Sequence, residues 1–160
     1  MSKKNLFVLC GIPASGKSSW AKVSEKTFKE KTIIVSRDQI RYSLLKPEDE
    51  YFSKEEEVFY VFVETIKNNI KNDNVRNIIV DATHISKNSR RKLIKALGEA
   101  VKECKITAVV FTTSFDTCME RNSLRTGRAK VPVKDLTNMY NNFTLPLKSE
   151  GFDDIELVFE

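Results

Sequence analysis

Apolar runs and helical periodicities alternate along this chain. Short apolar stretches at residues 6–10, 32–35, 77–81, 105–112 and 155–159 have the length and composition of strands in a sheet. Between them, apolar positions recur every three or four residues. Phe59, Phe62, Ile66 and Ile70 predict a long helix over 54 to about 71. Leu93, Ile94, Leu97, Ala100 and Val101 predict another over 86–101, with Ser86 as its N-cap. Further helices are expected over 17 to about 30, over 38–45 before Pro47, from 114 or 116 to 125, and from 132 or 133 to about 142. Polar loops fill 47–54 and 126–130. Alternating strands and helices imply an α/β fold, a mostly parallel sheet of about five strands with helices on both faces. Without a repeat, low-complexity tract or long linker, residues 1–160 are expected to form a single domain.

At the first strand-to-helix junction stands Gly11-Ile12-Pro13-Ala14-Ser15-Gly16-Lys17-Ser18, the complete G-x-x-x-x-G-K-S phosphate-loop pattern. Glycines at 11 and 16 permit backbone angles and close approaches that a side chain would block. The loop amides can then cradle a polyphosphate, aided by the positive end of the helix that begins at Lys17 and continues through Ser19. Lys17 can reach the outer phosphates, and the Ser18 hydroxyl can hold Mg²⁺. This pattern alone names neither the nucleotide nor the phosphate acceptor.

Composition narrows the class without choosing a substrate. The chain has 160 residues, 41% hydrophobic and 31% charged, a balance suited to a globular domain. No apolar run approaches the roughly 18 residues needed to span a membrane. Lys3-Lys4 and the short run after them make too small a signal peptide, and Cys10, Cys104 and Cys118 lack C-x-x-C spacing. A cytoplasmic protein with reduced, mostly buried thiols is expected. One histidine without clustered cysteines argues against a zinc site. A net charge of +5 permits a polyanionic partner without requiring one.

Several residues carry alternative readings. Asp81 ends an apolar strand, where a carboxylate can hold Mg²⁺ or simply begin a turn. Asp38 follows the second strand and is either a general base or a helix-start acid. Arg121 and Arg125 are expected one helical turn apart on a shared face. With Arg128 and Lys130 they form a phosphate clamp beside a mobile Gly127 loop, or a solvated basic face. Lys87, Arg90, Arg91, Lys92 and Lys95 form a second basic group open to the same two readings. His84 can touch substrate or cap its turn. Phe59 and Phe62 fit a core better than a base-stacking platform.

Taken together these segments resemble the polynucleotide 5′-hydroxyl kinase family of phosphate-loop kinases. Val35-Ser36-Arg37-Asp38-Gln39-Ile40-Arg41 is similar to its segment bearing the general base and an acceptor-binding arginine, and Asp81-Ala82-Thr83-His84-Ile85-Ser86 to its D-x-T-[NH]-x-[ST] segment. Arg121-Asn122-Ser123-Leu124-Arg125, Val131-Pro132 and Met139-Tyr140 resemble its lid, and Glu150-Gly151-Phe152-Asp153 its ending. The resemblance implies a three-layer kinase sandwich with an Arg-rich lid at about 114–134. It implies transfer of the γ-phosphate of ATP, with Mg²⁺, to a 5′-hydroxyl end of DNA or RNA. Lys17, Asp38 and Arg125 would be catalytic, with Asp38 as base. Residues 11–19 with Arg121 and Arg125 would bind the nucleotide. Arg41, Asp81, Thr83, His84 and Val131 would join Asp38 at the acceptor, and Ser18 and Asp81 would serve the metal. The loop 126–130 is one residue longer than the family pattern, which leaves Arg128 without a role, and a kinase domain without a phosphatase or ligase module is expected. A kinase of a small molecule (a nucleoside, sugar or nucleotide-sugar) is the alternative, and a nucleotide-binding switch without transfer the second. No N-K-x-D segment is present to read guanine, and the chain has no obvious second subdomain of a motor ATPase. No obligate protein partner is evident.

Overall fold

A computed structural model describes residues 3–159. Five strands, β1 (Lys4–Cys10), β2 (Thr32–Ser36), β3 (Asn77–Asp81), β4 (Cys104–Phe111) and β5 (Asp154–Val158), form one sheet in the order β2-β3-β1-β4-β5, and every pairing is parallel. Among the described residues, six α-helices connect and flank them: α1 (Lys17–Thr27), α2 (Arg37–Leu44), α3 (Glu55–Lys71), α4 (Lys87–Leu97), α5 (Phe115–Ser123) and α6 (Val133–Asn141).

The period-two alternation of the strands divides the core between two faces. Leu6, Val8, Ile78, Val80, Ala108 and Val110 meet Phe62, Ile66, Leu93 and Leu97 of α3 and α4 on one side. Leu9, Ile79, Val109 and Phe111 meet Ala21 and Trp20 of α1 on the other. Burying such a side chain contributes roughly 1.5–3 kcal/mol, so both faces are firmly covered. A third cluster packs Ile12 and Ala14 of the phosphate loop against Cys118 of α5 and Leu136 of α6. The loop is therefore part of the core on its outer side. Cys10, Cys104 and Cys118 are all buried, as expected.

Local differences from the sequence reading have physical causes. The helix expected over 86–101 stops at Leu97, because Gly98 takes φ 57° and the chain tightens into a 3₁₀ turn, Gly98–Glu103. Ser86 caps α4 as expected, in a reciprocal box with Ser89. Helix α1 ends at Thr27 because Phe28 turns extended and stacks on Phe7, with ring centroids 5.5 Å apart. Arg90 leaves the basic group expected on α4. It is 0% exposed and ion-paired with Glu150 at 2.7 Å, so it pins the C-terminal turn rather than serving an open surface. No helix among the described residues is long and apolar enough to cross a membrane.

Candidate active site

β1 ends in the middle of the sheet, where its neighbours lead to opposite edges, and ligands of open parallel sheets gather beyond such a point. A cleft of about 1420 Å³ opens there. Its floor is the phosphate loop. Gly16 caps α1 at φ 102°, a left-handed conformation suited to glycine. Gly11 is needed for a different reason: a Cβ there would lie 2.5 Å from Ser15 Oγ. Pro13, Ala14, Gly16, Lys17, Ser18 and Ser19 line the cleft, whereas Gly11, Ile12 and Ser15 are buried behind it. The loop is braced from three sides. Gly11 N–H donates to Thr83 O at 2.9 Å, Thr113 Oγ1 donates to Ser15 O at 2.7 Å, and Arg121 Nη1 donates to Ala14 O at 3.3 Å.

Lys17 and Ser18 start α1 and point at β3. Lys17 Nζ donates to Ile12 O at 2.9 Å, and burial pulls its pKa from 10.5 to about 8, against the attraction of Asp81 and Asp38. Arg125 pulls in the same direction as burial, so Asp38 and Arg125 both bear on the Lys17 charge. Ser18 Oγ donates to Asp81 Oδ2 at 3.0 Å. Burial lifts the Asp81 carboxyl above its ordinary range, with Lys17 and the Ser18 bond acting against the rise. A buried lysine, a hydroxyl and a carboxylate thus meet at the floor, a donor set suited to a phosphate chain and a hard cation.

One wall is α2, started by the Ser36 N-cap, whose side chain accepts from Gln39 N. Asp38 Oδ1 accepts from Arg41 Nη1 at 2.5 Å and from Tyr51 O–H at 2.8 Å. Both bonds fall on Oδ1. Arg41 is buried, and Glu55 grips it in a two-pronged pair at 2.7 and 2.6 Å. Burial works against the Arg41 charge, but Glu55, Tyr51 and Asp38 together hold it above its ordinary value. Tyr51 and Phe52 stack on its guanidinium at 4.7 and 5.4 Å. Sequence reasoning missed Glu55 and Tyr51. Glu55 opens a run of three glutamates at a helix start and Tyr51 lies in a polar loop, so neither carries a signal of its own.

Deeper in the cleft lie Arg37, Phe59, Phe62 and His84. Phe62 is core, as expected, but half-buried Phe59 lines the cleft beneath Arg37 at 5.5 Å and Lys92 at 4.5 Å. His84 is buried with φ 44°, and its Nδ1 donates to Leu9 O at 2.7 Å. That bond leaves Nε2 as a buried lone pair without a partner. Thr83 also lines the cleft, next to Asp81.

The opposite wall is the α5–α6 connection. Arg121 and Arg125 do not share a helix, because α5 ends at Ser123 and Arg125 lies beyond it. Both still line the cleft. Asn122 fixes the connection by accepting from Val131 N at 2.9 Å and donating to Val131 O at 2.7 Å, which sets Val131 in the wall. Arg125 Nη1 donates to Ala129 O at 3.4 Å. Of the residues expected at the site, all but Gly11, Ile12 and Ser15 therefore line this one cleft.

This architecture has clear relatives. The chain is 28% identical over 155 residues to an L-seryl-tRNA(Sec) kinase of Methanococcus maripaludis, covering 92% of this chain and 56% of that protein. Its fold is similar to a chain of a Pnkp1/Rnl/Hen1 RNA repair complex, with TM-score 0.71 at 23% identity over 89% of this chain and 44% of the other. It is also similar to a gluconokinase from Sinorhizobium meliloti, with TM-score 0.61 at 17% identity over 99% and 84%. The chain thus spans about half the length of the tRNA kinase and of the repair-complex chain. The fold is that of phosphate-loop kinases, and the match across residues 6–146 makes the chain a member of the AAA domain family.

Proposed function

We propose that this chain is an ATP-dependent kinase that transfers the γ-phosphate to a 5′-hydroxyl end of DNA or RNA. The observation that carries the reading is the convergence of three groups on one cleft: Lys17, Ser18 and Asp81 on its floor, Asp38 on one wall, and Arg121 and Arg125 on the other. Lys17 and the loop amides would hold the phosphates of ATP. Ser18 and Asp81 would hold Mg²⁺, which when bound supplies neutralisation of phosphate charge. Asp38 would take the proton of the attacking hydroxyl on Oδ2, while Arg41 and Tyr51 hold Oδ1 still. As the oxygen–phosphorus bond forms, the bond to the β-phosphate oxygen breaks in line, and Arg121 and Arg125 offset the charge that accumulates. Arg125 stands on a segment, about 114–134, that acts as a lid. The relatedness to an L-seryl-tRNA(Sec) kinase supports an acceptor borne on nucleic acid.

One observation favours a small-molecule acceptor instead. Asp38 and Glu55 already occupy most of the Arg41 guanidinium, which leaves less of its charge for an acceptor phosphate. Incubation with γ-labelled ATP, Mg²⁺ and a panel of oligonucleotides with free 5′-hydroxyls, nucleosides and sugars separates the readings. Label on the oligonucleotides alone is expected, and label on a nucleoside or sugar alone would replace this reading with the second.

A further inference from the structure

Arg128, which the sequence left without a role, reaches across the mouth of the cleft. Its Nη2 faces three backbone carbonyls of the α2–α3 loop: Lys46 O at 3.0 Å, Pro47 O at 3.1 Å and Asp49 O at 2.8 Å. This carbonyl cup also has bonds of its own. Asp49 N–H donates to Lys46 O at 3.0 Å, Lys46 N–H donates to Asp49 Oδ2 at 2.8 Å, and Lys54 Nζ pairs with Asp49 at 3.5 Å. The segment is thereby held as a tight turn, with Lys46 O shared between Asp49 N–H and Arg128.

Both ends of the bridge lead to groups placed at the chemistry above. On the lid side, Arg128 sits in the 3₁₀ turn Gly127–Ala129, and Ala129 O of that turn accepts from Arg125. On the other side, the cupped loop continues to Tyr51, whose hydroxyl donates to Asp38. We infer that Arg128 is a positioning residue, a latch that sets Arg125 and Asp38 at a fixed separation across the cleft. The inference rests on the kinase reading. It goes beyond that reading by assigning a role to the extra length of the loop. Carbonyls are suited to the task, because they attract a guanidinium without a competing carboxylate charge, so the contact can open for substrate entry and close again.

The test uses Arg128→Met, which keeps the length and removes the donors of this exposed side chain. The first readout is amide hydrogen exchange of the protein without substrate. Faster exchange in both 126–131 and 46–54, with the sheet unchanged, is expected; a change in one segment only, or in neither, would overturn the latch. The second readout is steady-state transfer. The kcat should fall about tenfold, the scale of a lost charged hydrogen bond, while the KM for ATP stays within about twofold. In an Arg125→Ala background the same substitution should cost much less, since it acts through Arg125. An unchanged kcat, or an equal loss in both backgrounds, would refute the inference. If the wild-type chain labels no acceptor, the kinase reading fails, and the exchange measurement still decides whether the two segments are coupled.

Discussion

His84 is the single histidine, and its surroundings settle which form it takes. Burial lowers its pKa from 6.5 to about 4, the bond to Leu9 O resists this, and the charges of Arg37, Lys17 and Arg90 add to the lowering. Between these two values the unfolded chain binds a proton that the native state refuses. Stability should therefore fall as pH drops from 6.5 towards 4, by about 3 kcal/mol in all. The imidazole resonances give a direct reading, since no other histidine overlaps them. A midpoint at about 4 is expected, and a midpoint near 6.5 would mean that the ring is open to water. Residue identities at this site were legible where a motif fixes spacing, as in the phosphate loop. They were not legible for Glu55 and Tyr51, whose importance lies only in what they touch.

At the scale of elements, the α4 helix shows how a charge-rich sequence conceals a core role. Arg90 donates to Glu150 through two nitrogens and also to the His84 and Thr144 carbonyls. Its guanidinium ties the turn after β3 to the chain beyond α6, so the pair sets the angle at which the last segment returns to the sheet. Glu150→Gln leaves Arg90 buried without its counter-charge and should lower stability by about 3 kcal/mol, measured as a shift in the urea midpoint. An Arg90→Met, Glu150→Leu double variant should lose much less, because no lone charge remains. From sequence, Arg90 is one of five basic residues on a helix, and nothing local separates it from its exposed neighbours. Helix existence was legible from apolar spacing, whereas helix ends were not. Gly98 stops α4 through its positive-φ backbone, and α5 ends before Arg125, although Arg121 and Arg125 still line one cleft.

The whole molecule places its chemistry by topology. A parallel sheet delivers the ends of β1, β2 and β3 to one edge, so residues far apart in sequence, Lys17, Asp38 and Asp81, arrive together. That much could be read from alternating strands and helices, because parallel strands joined by right-handed crossovers leave few arrangements. What the alternation could not give is the bridge across the cleft, which depends on loop carbonyls that carry no side-chain signature. The account stands on Asp38 acting as a base on a hydroxyl at the end of the nucleotide held by Lys17. Asp38→Asn tests this most directly, with ATP affinity and single-turnover transfer measured on the same protein. A rate lower by about 10²–10⁴ with ATP binding unchanged is the predicted result; transfer at the wild-type rate would contradict it.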